Sequence, residues 1–276
     1  MKSQNIYNMT YSCPVSYAII NKILFGAFKR SFGKERGEPE TMTETKSMNE
    51  IKTIRCYDDF IKSLFMTGMS MGGPNDEHVF SLCNFFGDEI EWHTEKPDTD
   101  PWEWRMRVLN ERDDIAYGKL FFKKSGYITK DWFAYFYAAR RDKKSLEESY
   151  AEGKISQPAK IIYEVLKEER TMPLHLLKLA GGFSKENKAA FERGLTELQM
   201  KMYITMCGQK RKRSEKGEEY GWSSTVFCLV EDFFAEDILE EAGHIDGEAA
   251  LWKISEQIMR FNPKADPKKV KKFVLG

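Results

Sequence analysis

Aromatic and charged side chains alternate over residues 92–119 in a way that could build a ligand pocket. Aromatic planes beside charged groups can stack a planar ring, and enzymes that act on an extruded nucleobase need such a platform. The pattern therefore predicts stacking or pocket-lining roles for a small set of side chains. These candidates are Trp92, Trp102, Trp104, Arg107, Tyr117 and Lys119.

Four polar groups in the same segment could activate a water molecule, because general acid–base catalysis needs a positioned carboxylate or imidazole. Asp100 has a second interpretation, since Asp-Pro directly before a helix is an ordinary start signal. Clustered aromatic residues are also usual in a hydrophobic core, so the sequence leaves the pocket and core interpretations open. The weak catalytic candidates are His93, Asp98, Asp100 and Glu103.

A second candidate site is the basic run over 208–217, which contains five positive side chains and one negative side chain. Such a run can lie along a phosphate backbone and displace counterions. Contacts of this kind position a protein on DNA without reading its sequence. A solvated hairpin tip is the alternative interpretation. The candidate phosphate contacts are Lys210, Arg211, Lys212 and Arg213.

The elements around the basic run follow the order of a winged helix-turn-helix. Hydrophobic periodicity predicts helices over 158–169, 173–180 and 184–202, with Ser184 capping the third. Extended segments over 203–207 and 222–230 flank a polar loop over 208–221. The third helix would enter the major groove by its N-terminal turns, where Lys185, Asn187 and Lys188 would contact DNA. A generic helical bundle that carries a hairpin is the alternative.

The rest of the chain is predicted to be mainly helical. Helices are expected over 57–67, from Trp102 to about Asp114, and over 129–140, while 116–128 is compatible with a strand or a helix. Residues 142–157 are charged and are predicted to form a surface linker. A further amphipathic helix over 247–261 is followed by a basic tail.

The sequence thus predicts an α+β protein, mainly α, with an aromatic-rich N-terminal half and a winged-helix C-terminal domain. The predicted divisions are a flexible extension over 1–48, an aromatic-rich domain over 49–150, a winged-helix domain over 155–234 and a helical segment with a basic tail over 235–276. A short helix over 15–28 is expected inside the extension. Met48 offers a second start position, so residues 1–47 could lie upstream of the native start.

Composition and motifs exclude several classes of protein. The 276 residues carry no net charge and 41% are hydrophobic, which is typical of a soluble globular chain. Five widely spaced cysteines and four scattered histidines favour free thiols in a reducing cytoplasm and no metal site. The sequence contains no dinucleotide-binding, phosphate-loop or serine-hydrolase signature. We therefore expect a cytoplasmic protein with no cofactor and no membrane partner.

Several runs of the sequence have a distinctive composition. They are Trp92-His-Thr, Asp98-Thr-Asp-Pro-Trp-x-Trp-Arg105, Tyr117-Gly-Lys-Leu-Phe-Phe122, Leu198-Gln-Met-Lys-Met-Tyr-Ile-Thr-Met-Cys-Gly208 and Tyr220-Gly-Trp-Ser-Ser-Thr225. Together they resemble the AlkZ-related family, bacterial relatives of the AlkZ winged-helix DNA glycosylases. The resemblance covers about residues 49–273 and implies a DNA-binding winged helix that is linked to repair of alkylated or crosslinked bases.

The glycosylases of the larger family carry a Gln-x-Gln or Gln-x-Asp pair that positions the attacking water. None of the five glutamines in this sequence is followed two residues later by Gln or Asp; they are Gln4, Gln157, Gln199, Gln209 and Gln257. We therefore expect a DNA-binding protein without this catalytic motif. Two alternatives remain open, a glycosylase that uses an acid of the 92–107 segment and a protein-interaction module.

Overall fold

The computed structural model describes residues 51–74, 76–213, 217–234 and 236–276, and these form an α+β protein with an antiparallel sheet. The extension predicted over 1–48, with its helix at 15–28, lies outside the described residues. Neighbouring strands follow the order β1-β3-β2-β5-β6-β4. The strands are β1 (Met69–Met71), β2 (Ile115–Phe121), β3 (Lys124–Thr129), β4 (Thr171–Pro173), β5 (Ile204–Arg213) and β6 (Glu219–Leu229).

Five of the eleven helices in the described residues begin at a polar residue whose side chain accepts a backbone hydrogen bond. Asp100, Asp246 and Asp266 each accept hydrogen bonds from backbone N–H groups of the turn that follows, which pairs donors that a helix start leaves free. The helices are α1 (Tyr57–Thr67), α2 (Pro101–Glu111), α3 (Lys130–Arg141), α4 (Leu146–Ala151), α5 (Gln157–Glu169), α6 (Leu174–Ala180), α7 (Lys188–Met200), α8 (Val230–Phe233), α9 (Glu236–His244), α10 (Gly247–Phe261) and α11 (Pro267–Leu275).

A first hydrophobic core combines the N-terminal half with the C-terminal helices. Strands β1 to β3 and helices α1 to α3 bury their aromatic faces together with residues of α8 to α11. Phe273 of α11 stacks on Phe121 of β2, with ring centroids 3.8 Å apart. The basic tail expected after residue 261 contains α11, which turns Val270, Phe273 and Val274 into this core and keeps several lysines outside.

Arg140 of α3 links α11 to β2 and to α7. Its guanidinium donates hydrogen bonds of 2.7–2.9 Å to the carbonyl oxygens of Leu120, Met200, Phe273 and Val274. Carbonyls at the ends of helices lack partners within the helix, so one planar guanidinium satisfies groups from three different elements.

A second hydrophobic core lies between helices α4 to α7 and strands β4 to β6. Helices α5 and α7 pack unusually close, because a Cβ on Gly194 would lie 2.8 Å from the backbone nitrogen of Ala159. Strand β4 pairs with β6, and β5 pairs with the other edge of β6. The sequence did not indicate β4, which has only three residues.

The two cores meet along the sheet where β2 pairs with β5 at Tyr117 and Met206. Beyond this pair the backbone N–H of Lys119 donates a hydrogen bond of 2.9 Å to the side-chain Oε1 of Gln199. Gln199 belongs to α7 and also donates to the carbonyl of Leu195 at 2.9 Å. A buried amide of the second core therefore completes the hydrogen bonding of a strand of the first.

Three predicted segments differ from the structure. The interval 116–128 is a hairpin, whose two-residue turn places Phe122 and Lys123 at positive φ. The linker predicted over 142–157 contains α4, which begins with a capping box of Ser145 and Glu148. The polar loop predicted over 208–221 is largely strand in the described residues, because both strands extend well beyond the core.

Candidate nucleic-acid interface

Helices α6 and α7 are joined by a turn that presents the predicted groove residues to solvent. Lys185 and Asn187 lie in the turn before α7 and Lys188 is its first residue, and all three are exposed. The predicted start at Ser184 is wrong, since α7 begins at Lys188 and the Ser184 hydroxyl bonds the carboxylate of Glu186 instead. This hydrogen bond lowers the pKa of Glu186, which therefore stays charged beside the lysines.

The basic run lies on the outer half of a two-stranded arm. We use this name for residues 208–213 of β5 and 219–226 of β6, where Lys210 pairs with Ser224 and Lys212 with Tyr220. Lys210 and Arg211 are exposed. The side chains of Lys212 and Arg213 lie outside the described part of the structure. The arm therefore offers positive charge on a strand rather than on a loop.

Two irregularities in the strand pairing shape the arm. The register shifts between Met206 and Gly208 and again between Lys210 and Lys212. Gly208 has φ +155° and Gly221 has φ +70°, conformations that side chains with a Cβ rarely adopt. Bulges bend a strand and increase its twist. Irregularities of this kind can turn an arm away from the sheet that carries it.

An exposed aromatic residue on the arm was not among the sequence candidates. Tyr220 is 54% exposed and pairs across the strands with Lys212. A tyrosine ring beside cations can contact sugar or base surfaces of a nucleic acid. Its neighbour Gly221 was the available signal, because a glycine inside a strand pattern indicates a bulge that redirects a side chain.

Acidic residues of α7 are partly neutralised by neighbours. The Glu192 carboxylate lies 3.6 Å from Lys188 Nζ. Glu197 receives the Ser156 hydroxyl at 2.6 Å and lies 3.6 Å from Lys201 Nζ, so it is held against the start of α5. Arg193 is a further exposed cation on the same helix. The turn and α7 thus carry three basic and three acidic side chains, and their exposed side is mixed in charge.

The aromatic residues of the 92–119 segment separate into buried and exposed positions. The rings of Trp104 and Tyr117 lie in the first core, where a ligand cannot stack on them. Trp92 is half-buried and packs near Phe86. Trp102 is 42% exposed and carries the guanidinium of Arg105 at 3.2 Å from its ring centroid.

Arg107 and Lys119 are the remaining pocket candidates. Arg107 lies over the ring of Tyr57 at 3.8 Å and forms ion pairs with Asp98 and Glu111 at 3.8 and 3.2 Å. Lys119 is exposed on β2. The structure therefore does not bring the six pocket candidates to one surface. The residue that the sequence did not single out here is Arg105, which covers the exposed indole.

Asp100 acts as the organising cap of the loop before α2. It is 0% exposed, and its two oxygens accept backbone N–H bonds from His93, Thr94, Glu95 and Trp102 at 2.7–3.1 Å. Burial raises the pKa of Asp100, but these four donors outweigh it and the pKa lies below its ordinary value. An ionised, fully engaged carboxylate is suited to hold a loop and not to exchange protons.

The other catalytic candidates lie near Asp100 without forming a shared site. His93 is exposed, and its ring lies 4.8 Å from that of Trp102. Asp98 is exposed beside Arg107, and Glu103 is half-buried in the first turn of α2. In the described residues no three histidine, cysteine or acidic side chains are grouped so that they could hold a metal ion.

Comparison with known proteins gives one match. A family model described as AlkZ related matches residues 54–275, which confirms the resemblance over most of the chain. Neither the curated proteins nor the solved structures gave a match. Within the described residues, no helix is both long and apolar enough to cross a bilayer.

Proposed function

The chain belongs to the AlkZ-related family, and from this premise we propose that it is a DNA-binding protein that serves the repair of alkylated or crosslinked DNA. The observation that supports DNA binding most strongly is the element order α5-β4-α6-α7-β5-β6 with β4 paired to β6. A winged helix-turn-helix has this order, with a small sheet behind a helical hairpin. The fold alone does not determine a function, so the proposal also rests on the exposed charge.

In the proposed complex, α7 enters the major groove by its first turn. Lys185 and Lys188 then lie near phosphates or base edges, and Asn187 can pair with a base edge. The arm runs along the neighbouring backbone, with Lys210 and Arg211 replacing counterions and Tyr220 against the sugar surface. Binding of this kind has a strong electrostatic component and is sensitive to salt.

We propose binding without base excision. The sequence lacks the Gln pair of the glycosylases, and Asp100, the most buried acid of the 92–107 segment, is fully engaged by backbone donors. In this role the protein recognises a lesion and either recruits repair proteins to it or shields it. Other proteins then carry out the chemistry. An excision assay with alkylated and crosslinked duplexes followed by alkali tests this point, and strand breaks at released bases would contradict it.

The DNA-binding proposal is tested by replacing Lys210, Arg211, Lys212 and Arg213 together with alanine. Duplex affinity should fall, and the slope of log affinity against log salt should decrease by about 0.9 for each phosphate contact removed. Affinity is measured by fluorescence anisotropy over a salt series, with undamaged, alkylated and crosslinked duplexes. Tighter binding to a damaged duplex supports the repair role, and equal binding to all three contradicts it.

A matched control removes the same charge from another surface. Lys264, Lys268, Lys271 and Lys272 are exposed near or on α11, which packs on α3 and α10 rather than on the arm. Their fourfold alanine variant should keep the salt slope of the wild type. If both variants lose affinity equally, the attraction is unspecific. If the wild type does not bind any duplex at low salt, DNA binding is wrong and a protein-interaction role becomes the better hypothesis.

A further inference from the structure

Two cysteines lie together at the base of the arm. Cys228 of β6 is opposite Thr205 of β5, and Cys207 occupies the register shift between Met206 and Gly208. The two thiols are close enough to share a hydrogen bond. Cys228 is 2% exposed, whereas Cys207 is partly accessible. One thiol is thus open to a reagent from solvent, and the other lies directly behind it.

We propose that Cys207 and Cys228 are an oxidation site that forms a reversible disulfide with a disulfide oxidant such as oxidised glutathione. Disulfide formation requires two sulfurs that approach each other with little backbone movement. The cross-strand contact already brings them together, and a bulge is a place where strands can adjust. The site goes beyond the DNA-binding role and does not depend on it.

The chemistry proceeds in two balanced exchanges. The Cys207 thiolate attacks one sulfur of oxidised glutathione, so a mixed disulfide forms and one glutathione thiolate leaves. Cys228 then gives its proton to water and attacks the Cys207 sulfur, which expels the second glutathione thiolate. Two protein thiols are oxidised and one glutathione disulfide is reduced to two thiols.

The pKa shifts of the two thiols agree with this order, in which Cys207 attacks first and Cys228 second. The hydrogen bond from Cys228 outweighs burial and lowers the pKa of Cys207 below its ordinary value. The same hydrogen bond, together with burial, raises the pKa of Cys228. A partly accessible thiolate is the usual attacking group. Cys83 differs from Cys207, since burial raises the pKa of its thiol to about 11.

Oxidation would alter the arm because of where the bond forms. On one side of Cys207 both strands are held in the cores. On the other side β5 carries Lys210 and Arg211. The bulge between them is the point at which the arm can bend relative to the buried sheet. A covalent link across this point fixes the angle of the arm, so its amide hydrogens should exchange more slowly in the oxidised protein.

The test uses the full-length protein treated with oxidised glutathione under non-denaturing conditions. The intact mass should fall by two hydrogen atoms and two titratable thiols should be lost. Trypsin digestion without reduction should give the peptide Met202–Lys210 linked to Gly217–Lys253, and dithiothreitol should reverse the link. Hydrogen exchange of residues 208–213 should slow in the oxidised sample and recover after reduction.

Three variants make the assignment specific. Cys207→Ser and Cys228→Ser should not form the linked peptide, while Cys56→Ser should form it as the wild type does, because Cys56 lies outside the pair. The inference is overturned if the pair stays reduced while the thiols of the urea-unfolded protein react. It is also overturned if the recovered link joins other cysteines. These readouts need no DNA, so failure of the DNA-binding proposal does not affect them.

Discussion

At the scale of single residues, Asp100 shows how one sequence signal admitted two interpretations. Its carboxylate was a candidate acid and also a candidate helix cap, and the structure gives it four backbone donors. The cap before Pro101 was visible in the sequence. The three donors from residues 93–95 were not, because they require the left-handed conformations of His93 and Glu95. A local sequence pattern does not specify the backbone conformation of such a loop.

Replacing Asp100 with asparagine should destabilise the protein by about 2 kcal/mol at neutral pH, because one oxygen that accepts two N–H bonds becomes a donor. The pKa of Asp100 is lowered in the folded state, so its contribution is complete above the ordinary value of 3.8 and is lost as the pH falls through the lowered value. The measurement is urea denaturation of both proteins at neutral and at acidic pH.

The control for this variant is Asp98→Asn, in a side chain that is 70% exposed and 3.8 Å from Arg107. An exposed ion pair contributes less than about 1 kcal/mol, so this substitution should have a small effect. If the free energies of unfolding of wild type and Asp100→Asn differ by the same amount at neutral and at acidic pH, the charge of Asp100 is not the source of the difference.

Arg140 is a second residue whose role depends on geometry rather than on charge alone. Arg140→Lys should destabilise the protein by about 3 kcal/mol or more, because a single ammonium cannot reach four carbonyl oxygens in three elements and would leave some of them unpaired. Urea denaturation measures the loss. The exposed Arg193→Lys serves as control and should change stability by less than about 0.5 kcal/mol. Equal stability of Arg140→Lys and wild type would contradict the role.

At the scale of elements, the close packing of α5 on α7 depends on Gly194. Alanine favours a helix by about 1 kcal/mol over glycine, yet a Cβ here would lie 2.8 Å from the Ala159 nitrogen. The clash is with backbone, so the helices must separate and Gly194→Ala should destabilise by about 1–3 kcal/mol. Thermal or urea denaturation gives the sign of the change directly.

Gly243 of α9 provides the matched control, because a Cβ there meets no atom within 4 Å. Gly243→Ala should therefore stabilise by up to about 1 kcal/mol through helix propensity alone. If both alanine variants stabilise the protein, the contact between α5 and α7 is more adaptable than the distances indicate.

The elements that the sequence predicted well are those with a local cause. Helices α1, α5 and α10 have an apolar face with helical periodicity, and most begin at a cap or a proline. The β2–β3 hairpin lacked its usual signal, since Phe122 and Lys123 are not the Gly or Asn that such a turn favours. Its turn is held from outside by Phe273 of α11, a contact distant in sequence.

The candidate site also has parts that the sequence predicted and parts that it did not. The turn residues Lys185 and Lys188 were placed from the helix pattern and are exposed as expected. The length of the arm was missed, because lysine and arginine have little preference for strands and their pairing depends on Tyr220 to Ser224 across the hairpin. The buried position of Trp104 was also undetermined, since the aromatic pattern is usual in a core but also fits a pocket.

At the scale of the whole molecule, the zero net charge results from opposed regions. Residues 184–217 contain nine basic and four acidic side chains, whereas 231–248 contains acidic residues but no lysine or arginine. The described part of the acidic segment includes α8 and α9, and its α9 packs against α3. The neutral average charge thus conceals a local basic surplus over 184–217.

The two cores are joined by a partly buried ion pair as well as by the sheet. Arg141 of α3 lies between the rings of Tyr137 and Tyr203, at 4.7 and 3.7 Å, and donates to the carbonyl of Met202. Its guanidinium also lies 3.3 Å from Glu231, at the start of α8. Because these partners come from both cores, the pair should couple their unfolding.

Arg141→Met should therefore destabilise the protein by about 2–3 kcal/mol, since it leaves the half-buried Glu231 carboxylate without its cation and the Met202 carbonyl without its donor. We also expect the cores to unfold separately in this variant. The tryptophan fluorescence reports mainly on the first core, because only Trp222 lies within 146–229, whereas far-UV circular dichroism reports on all helices. The two urea curves should coincide for the wild type and diverge for Arg141→Met.

The double variant Arg141→Met/Glu231→Gln distinguishes a lost charge partner from lost packing. Removal of both charges is much less costly than removal of one, so the double variant should recover part of the stability that Arg141→Met loses. Recovered stability with curves that still diverge would assign the coupling to the guanidinium between the two tyrosine rings. Coincident curves in Arg141→Met itself would mean that the remaining links, among them the strand pair at Tyr117 and Met206 and the Lys119–Gln199 hydrogen bond, hold the two cores in one cooperative unit.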